Sequence, residues 1–473
     1  MTCITADTNP SSIVSLLQNT ARRSTIGFLI LVVLPTTVRS QTPTPLGRVS
    51  VATDGAAAAD LDSLVARALA VNPSIRAARE RVEAARARIG PAGTLPDPMV
   101  GFGILNLPVS APGFADFMTM KTVAIGQMVP FPGKLPLAQR AAEHELAADD
   151  ARLRAVQLEI AFEVRQAYYE LAFLDRALAV LRQTRNLLVN LIEVTESKYG
   201  AGTGGQQDVL KARVEAARLA EEAVALTEQR RAALARVNAL LDRASETPID
   251  QARVPERVAR AAVAASVGEI RFTTGELGAR AADSPLPSLL DLQERAVRSS
   301  PTLQAHESEI AAQAARLELA GKAHLPDFDL SLQYGQRADR TDMASFMVSV
   351  PVPLRRGLRQ DQERAEARAE LAALEAGHHA MVNRLRADVA ARYAEIESDR
   401  AQLALFVKSI IPQGRAALES VTAAYQVGRA DFPALLENQA TLYSYETAYF
   451  RALTDFARSL AELERIVAQE VLR

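Results

Sequence analysis

Long stretches of the chain repeat apolar residues at alternating intervals of three and four, with charged residues between them. The clearest run lies within residues 137–199, which contain neither Gly nor Pro. This spacing predicts a coiled-coil helix, and 63 residues of helix would extend for roughly 95 Å. Residues 206–247 and 434–473 also lack both helix breakers, so we predict long helices there too. The apolar positions of the first run are Ala167, Leu171, Leu174, Leu178, Leu181, Leu188 and Ile192.

The equivalent long helix in the second half of the chain contains two residues that disfavour helix. Gly377 and Pro412 lie within it, and we expect both to interrupt it. The loops between successive long helices are short. Neighbouring helices must therefore run antiparallel.

Four short segments alternate between polar and apolar residues with a period of two, which predicts strands with one apolar face. Residues 327–334 and 345–350 alternate clearly, and residues 100–104 and 121–127 do so more weakly. The local pattern leaves open whether the apolar face covers a core or contacts lipid. Because the remaining chain is coiled-coil helix with no evident globular core to cover a sheet, we favour lipid contact. The lipid-facing candidates are Phe328, Leu330, Leu332, Phe346 and Val348.

The same order of features occurs twice along the chain. Residues 61–75 resemble residues 289–303, and each copy continues through a helix, a strand pair, a Pro-rich element, a long helix, a Tyr–Gly turn and a last helix. A Pro-, Gly- and Ala-rich stretch separates the copies. We divide the chain into a signal peptide (1–40), an N-terminal extension (41–60), a first repeat (61–243), a connector (244–287) and a second repeat (288–473).

The first forty residues have the features of an export signal. Arg22 and Arg23 precede the apolar run 26–34, and short residues follow at 38–40. A run of nine residues is too short to cross a bilayer as a helix. Because no later segment resembles a membrane helix either, any membrane insertion should use strands. The one cysteine, Cys3, lies in this leader, so the mature chain should offer neither thiol chemistry nor a lipid anchor.

Composition argues against several classes of function. The net charge is −2, so the basic excess typical of nucleic-acid binding is missing. We find no nucleophile elbow, no phosphate-binding Gly loop and no His pair at zinc spacing. We therefore expect no enzymatic activity, no catalytic residue, no cofactor and no metal site.

Two residue types could nevertheless bind metal. Met118, Met120 and Met128 carry thioethers, which suit soft ions such as Cu(I), but beside a membrane strand we interpret them as apolar surface. The histidines are scattered along the sequence, and adjacent histidines on a helix do not share a face. We interpret all of them as surface residues: His144, His306, His324, His378 and His379.

Together these features resemble the TolC family of outer-membrane efflux ducts, from about Leu61 to Leu472. The most specific stretch is 412–439, where a Tyr and a Val-Gly at a helix tip precede a short turn, two Leu and a Gln. Residues 199–210 echo it. The resemblance implies a mainly α fold with a small β part: long antiparallel coiled-coil helices form a periplasmic tunnel, and four strands per protomer contribute to a shared trimeric outer-membrane β-barrel. It also implies a homotrimer that works with a periplasmic adaptor (membrane fusion) protein and an inner-membrane pump of the resistance-nodulation-division type.

Three shorter motifs, 95–99, 106–108 and 127–134, resemble the branch of this family that serves heavy-metal resistance pumps. Many members of that branch carry a lipidated N-terminal cysteine, which this chain lacks.

The resemblance also suggests functional residues near the second helix tip. The periplasmic entrance of these ducts is narrowed there, and a ring of carboxylates would select cations. Glu419 is the first candidate for this constriction and Asp431 the second; the alternative is that both lie on a solvated helix surface. The candidate adaptor contacts are Gly202, Val427, Gly428 and Arg429, although the glycines could serve only to end helices.

From these features we expect a passive outer-membrane channel of a tripartite efflux system. It would conduct substrate, with heavy-metal cations as one candidate, from an inner-membrane pump to the exterior. Two alternatives stay open: a periplasmic coiled-coil scaffold or adaptor without a pore, and a protein-secretion duct of the same fold. A duct need not bind what it passes, so the substrate does not follow from the family resemblance.

Overall fold

A computed structural model describes residues 60–110, 113–114, 116–263 and 286–472 of the protein. The signal peptide predicted at 1–40 lies outside these residues, as do nearly all of the N-terminal extension and half of the connector. In the described part of the chain, no helix combines the length and apolar character needed to cross a membrane.

The helices and strands follow the same order in both halves. The first half contains α1 (Leu61–Val71), α2 (Pro73–Gly93), β1 (Met99–Leu105), β2 (Met120–Val129), α3 (Lys134–Gly200) and α4 (Gln206–Leu240). A short α5 (Glu256–Val263) follows. The second half contains α6 (Leu289–Ser299), α7 (Pro301–Gly321), β3 (Phe328–Arg337), β4 (Met343–Ser349), α8 (Gln360–Leu405), a π-helical turn (Phe406–Ile410), α9 (Ile411–Gln426) and α10 (Phe432–Val467).

Helix α3 confirms the prediction of a single long coiled-coil helix. It runs for 67 residues without interruption, which corresponds to about 100 Å. Leu171 and Leu174 of the predicted seam are almost completely buried against neighbouring helices. Most of the stability of such a helix comes from packing this apolar stripe, because local propensity alone is too weak.

The predicted interruption at Gly377 is wrong. Helix α8 continues through it, since a single Gly costs a helix only about 1 kcal/mol and packing against α7 and α10 exceeds that cost. Pro412 does mark a change, but the chain stays helical. The π-helical turn lies directly before it, and Pro412 occupies the first turn of α9, where its missing N–H is tolerated.

Two predicted helices end earlier than expected. Helix α4 stops at Leu240 instead of residue 247, because the Asn238 side-chain amide donates to the carbonyls of Ser245 and Thr247 at 2.8 and 2.9 Å and folds the chain back. Helix α10 stops at Val467, after which Ala468 adopts a left-handed conformation.

The four strands form one antiparallel sheet in the order β1-β2-β3-β4. Residues opposite each other in an antiparallel pair point to the same face, so the register defines both faces of the sheet. Val100 lies opposite Ile125, Ile125 opposite Leu332, and Leu332 opposite Phe346. The predicted alternation is thus confirmed, and the four strands share one apolar face.

The main hydrophobic core lies among helices. It includes Leu171 of α3, Leu292 of α6, Ile396 of α8 and Phe456 of α10. The expectation was that no globular core would cover a sheet, and this helical core lies apart from the strands. Among the described residues, no strand residue belongs to this core, so it does not cover the sheet.

Candidate functional site

The apolar face of the sheet is the more exposed of its two faces. Phe102 is 80% exposed, Phe346 69% and Leu332 52%, whereas Thr122 on the opposite face is only 8% exposed. The register brings all five lipid-facing candidates onto this apolar face: Phe328, Leu330 and Leu332 on β3, with Phe346 and Val348 beside them on β4. A face that is both apolar and exposed is unusual in a soluble domain and indicates an interaction surface.

The two halves are joined at the foot of the sheet. Asp327, the residue directly before β3, accepts hydrogen bonds from the Phe131 N–H and from Lys134 Nζ, each at 2.8 Å. Lys134 Nζ also donates to the Leu325 carbonyl at 2.8 Å. This partly buried ion pair holds the start of α3 against the start of β3. It fixes the direction in which the long helix leaves the sheet.

The first helix tip, between α3 and α4, is a Schellman turn. The Gly202 N–H donates to the Tyr199 carbonyl at 3.0 Å, and the Thr203 N–H donates to the Lys198 carbonyl at 2.9 Å. Gly202 has a φ of +72°, which favours glycine.

The second tip, between α9 and α10, has the same geometry. The Gly428 N–H donates to the Tyr425 carbonyl at 3.2 Å, and the Arg429 N–H donates to the Ala424 carbonyl at 2.8 Å. Gly428 has a φ of +74°. A Cβ at Gly428 would meet no atom within 4 Å, and the same holds for Gly202. Both glycines are thus required by the backbone conformation and not by crowding.

The two tips differ in how they pack. Tyr425 is 5% exposed and lies against Phe432, whereas Tyr199, at the matching position of the first tip, is 49% exposed. Lys198 reaches across from α3, donates to the Tyr425 carbonyl at 2.5 Å, and lies 4.1 Å from the centre of its ring. Sequence reasoning missed Lys198, because nothing in a single sequence pairs a surface lysine with a carbonyl 227 residues away.

The two candidate gate residues occupy different environments. Glu419 is exposed on α9 and lines a groove of about 370 Å³ between α3, α9 and α10. An ion pair between Arg415 and Glu446, at 2.6 Å, crosses the same groove. Asp431 is the residue that precedes α10, where a carboxylate interacts favourably with the helix N-terminus. The Asp431 side chain makes no capping hydrogen bond there, so its interaction is with the helix dipole alone, whereas Glu419 is exposed in the groove.

The other tip candidates, Val427 and Arg429, are both exposed beside Gly428. Val427 is 69% exposed, which is high for an aliphatic side chain. This tip thus presents an apolar and a cationic side chain on a rigid turn.

The interpretation of all histidines as scattered surface residues is wrong for one pair. His306 of α7 and His378 of α8 stack with ring centres 5.8 Å apart, and both side chains are partly buried. Their helices lie side by side, which the sequence spacing did not reveal. Among the described residues, no group of three or more His, Cys, Asp or Glu could hold a metal ion.

A partly buried group of charges lies between α8 and α10. Burial, together with the nearby carboxylates of Asp455 and Glu395, raises the pKa of Asp399 to about 7. Burial also raises the pKa of Asp455, although Arg458 and Arg451 oppose that shift. These groups lie far along the sequence from both tips.

Comparison with known proteins connects this fold to a family. The profile of the outer membrane efflux protein family matches residues 64–243 and 292–469. Curated proteins gave no match. Among solved structures, the outer-membrane channel OprN is similar with a TM-score of 0.70 and 18% identity, over 87% of this chain and 91% of that one.

Two further structures resemble the chain in the same way. The outer membrane protein VceC of Vibrio cholerae matches with a TM-score of 0.67 and 19% identity, over 87% of this chain and 96% of that one. CusC, whose structures describe transmembrane channel formation, matches with a TM-score of 0.69 and 15% identity, over 86% and 91% of the two chains. At these identities the likeness establishes the fold.

Proteins of the matched family are channels and not enzymes. They reside in the outer membrane, extend into the periplasm, and work as trimers with adaptor and inner-membrane pump partners. Because the family profile covers more than half of the sequence, the chain belongs to the outer membrane efflux protein family.

Proposed function

We propose that the protein is the outer-membrane duct of a tripartite efflux system. Three copies would form one continuous passage, and substrate would move through it passively from a pump of the resistance-nodulation-division type to the exterior. The energy would come from the pump, since the duct itself has only to provide an open path.

The observation that carries this proposal is the sheet with one exposed apolar face. Lipid can contact such a face, but it cannot hydrogen-bond the unpaired outer edges of β1 and β4. Pairing β4 of one copy with β1 of the next would satisfy those edges. Three copies would supply twelve strands, enough to close a ring of strands around a lumen.

The helical part supports the same arrangement. Helices α3 and α4 form one long hairpin, and the chain from α8 to α10 forms another. In a trimer these hairpins would surround an axis, with the two Schellman turns at the periplasmic end. The tips would then be the part of the duct nearest to the adaptor and the pump.

Conductance tests the main proposal. Protein extracted from outer membranes should migrate as a trimer and give discrete conductance steps in planar bilayers. A soluble periplasmic protein, or a membrane trimer without conductance, would instead support the scaffold alternative. Accumulation of an unexported protein in a deletion strain would favour a secretion duct.

Within this duct, we assign the narrowest part of the entrance to Glu419. Three carboxylates around an axis would attract cations, and salt would weaken the effect by screening it. Glu419→Ala should therefore shift the reversal potential in a KCl gradient towards zero and reduce block by multivalent cations.

Glu375→Ala is the matched control for Glu419→Ala. Glu375 is also an exposed carboxylate, but it lies on α8 far from the tip, and its removal should change neither property. Glu397 would be a poor control because it pairs with the buried Arg400 at 3.0 Å. If Glu419→Ala retains wild-type selectivity and block, the acidic ring must be sought at Asp431 or abandoned.

Adaptor docking is assigned to the tip residues Gly202, Val427, Gly428 and Arg429. The exposed Val427 offers the clearest test, because a charge there would oppose apolar contact. Val427→Glu should leave trimers intact but abolish cross-linking to the adaptor. Val224→Glu, an equally exposed valine on α4 away from the tip, should retain cross-linking.

The motifs at 95–99, 106–108 and 127–134 favour heavy-metal cations as the substrate class. Deleting the gene should then increase sensitivity to metal salts more than sensitivity to hydrophobic drugs. The reverse result would assign the duct to a drug pump.

A further inference from the structure

The methionines of the sheet all lie on one face. The strands contain five of the eight methionines in the chain, and the register places every one of them opposite the apolar face. Alternation alone would place about half of them on each face. The five residues are Met99, Met120, Met128, Met343 and Met347.

The other apolar side chains divide the opposite way. Val, Ile, Phe and most Leu residues of the strands lie on the exposed apolar face, as with Val100, Ile125 and Phe346. The methionine face otherwise carries mainly glycines and small polar residues such as Thr122 and Ser331. The methionines are therefore not an extension of the apolar face, because the register places Met120 and Met128 on the opposite side of the sheet.

The five methionines occupy two levels along the strands. At one level, Met343 lies opposite Gly335, and Met120 Sδ lies over the same glycine, 2.6 Å from where a Cβ would stand. At the other level, Met99 and Met347 lie on one cross-strand row, with Met128 on the row beside it. Four residues along a strand separate the levels, or about 13 Å.

These methionine side chains do not pack in a hydrophobic core. Met99, Met128, Met343 and Met347 are between 45% and 73% exposed, so solutes can reach these residues. Thioether sulfur is a soft, neutral ligand that binds Cu(I) and its relatives in preference to hard ions. Because it is neutral, it binds more weakly than a thiolate would, and an ion can leave again. A conducting path needs such sites, because they bind an ion strongly enough for it to enter and weakly enough for it to leave.

We propose that the methionine face lines the membrane part of the lumen and binds thiophilic monovalent cations, Cu(I) or Ag(I), as they pass. The inference rests on the proposed duct and narrows its substrate class. In a trimer each level would present several thioethers around the axis. Hard cations such as K⁺ would cross without being retained.

Silver ions provide the probe, because Ag(I) is stable in air. The full-length trimer, with Cys3→Ser in every sample, is reconstituted in planar bilayers in potassium nitrate, and AgNO₃ is titrated. Wild type should show a saturable fall in K⁺ conductance as Ag(I) occupies the lumen. Replacing all five methionines by Leu, which keeps size and removes sulfur, should raise the half-effective Ag(I) concentration by about tenfold or more.

Three controls and two partial variants complete the design. Met118→Leu and Met381→Leu, which change methionines outside the strands, should leave the Ag(I) response unchanged. Val348→Met adds a thioether on the apolar face and should not strengthen the response. If the fivefold variant fails to assemble, Met120→Leu/Met343→Leu and Met99→Leu/Met128→Leu/Met347→Leu remove one level each, and each should weaken the response.

The outcomes separate this inference from the duct itself. A wild type that conducts but ignores Ag(I), or Leu variants that conduct and respond as wild type does, would overturn the methionine path and leave the duct standing. A wild type that forms no conducting trimer would overturn the proposed function, and the inference with it.

Discussion

The two halves of the chain have the same order of helices and strands, but their long helices differ. α1 and α6 each have 11 residues, and α2 and α7 each have 21. The 67 residues of α3 are one uninterrupted helix. The chain from residue 360 to 426 has the same length, but it is divided by the π-helical turn.

Alignment of Gly202 with Gly428 shows what changed between the halves. The buried Phe173 and Leu174 of α3 then correspond to Asp399 and Arg400 of α8. At these matched positions the first half places apolar side chains in the core, while the second half carries charge and a break in helical register. Since π turns frequently occur at functional sites, we expect the second hairpin, from α8 to α10, to be the one that moves during opening or selects ions.

The largest expected effect is loss of trimer assembly, and it tests a feature that the two halves share. Val348→Asp in the second half and Phe102→Asp in the first would each put a charge on the apolar face. In lipid this costs up to about 2–4 kcal/mol for a cation at the midplane and less for Asp. Both variants should lose heat-modifiable trimers on gels, whereas Ser349→Asp, on the opposite face, should assemble. Equal assembly of Val348→Asp and Ser349→Asp would contradict lipid contact.

The second test uses one matched position where the halves differ. Leu188 of α3 is fully buried, and its counterpart on α9 is Gly414. Leu188→Ala should destabilise the protein by about 2–5 kcal/mol because it leaves a cavity. Gly414→Ala should stabilise it by about 0.5 kcal/mol, since the new Cβ would make an ordinary 3.4 Å contact with Leu442 and the unfolded chain loses freedom.

Thermal melting of purified trimers would measure both changes. We expect the melting temperature to fall in Leu188→Ala and to rise in Gly414→Ala. A destabilised Gly414→Ala would mean that this stretch of α9 needs its glycine for movement or for contact with another copy.

A smaller effect is expected at the tips. Gly202→Val and Gly428→Val should each cost about 1–2 kcal/mol, because Val resists a positive φ while its Cβ meets nothing. Trimers should persist in both. Resistance should be lost in Gly428→Val and retained in Gly428→Asn, which tolerates the left-handed conformation. If Gly428→Val abolishes trimers, the position is structural and the docking assignment loses its support.

The smallest expected effect concerns pH. The pKa of Asp399 is raised to about 7, so between about pH 4 and pH 7 the folded protein keeps a proton that the unfolded chain has released. Stability should therefore fall as the pH rises through this window. Asp399→Asn should flatten the fall and raise the melting temperature at pH 8. Asp175→Asn serves as contrast, because Asp175 is ion-paired with Arg230 at 2.6 Å and its loss should lower stability.

The sequence alone determined the elements whose signals are local. The period-two alternation of Phe328, Leu330 and Leu332 predicted both a strand and its apolar face, and the spacing of Leu171, Leu174 and Leu181 predicted a buried seam. Gly202 and Gly428 marked the helix ends because a left-handed residue is needed there. Each of these signals depends on neighbours within a few residues, so one sequence carries it in full.

Only the tertiary structure decided what depends on distant partners. It showed that α8 continues through Gly377, because packing against α7 and α10 exceeds the free-energy cost of a glycine in a helix. It brought Lys198 to Tyr425, paired His306 with His378, and set Asp399 beside Asp455. It also placed the five strand methionines on one face, since that requires the register among four strands from both halves. Contacts between residues hundreds of positions apart leave no periodicity in a sequence, and they appear only once the chain has folded.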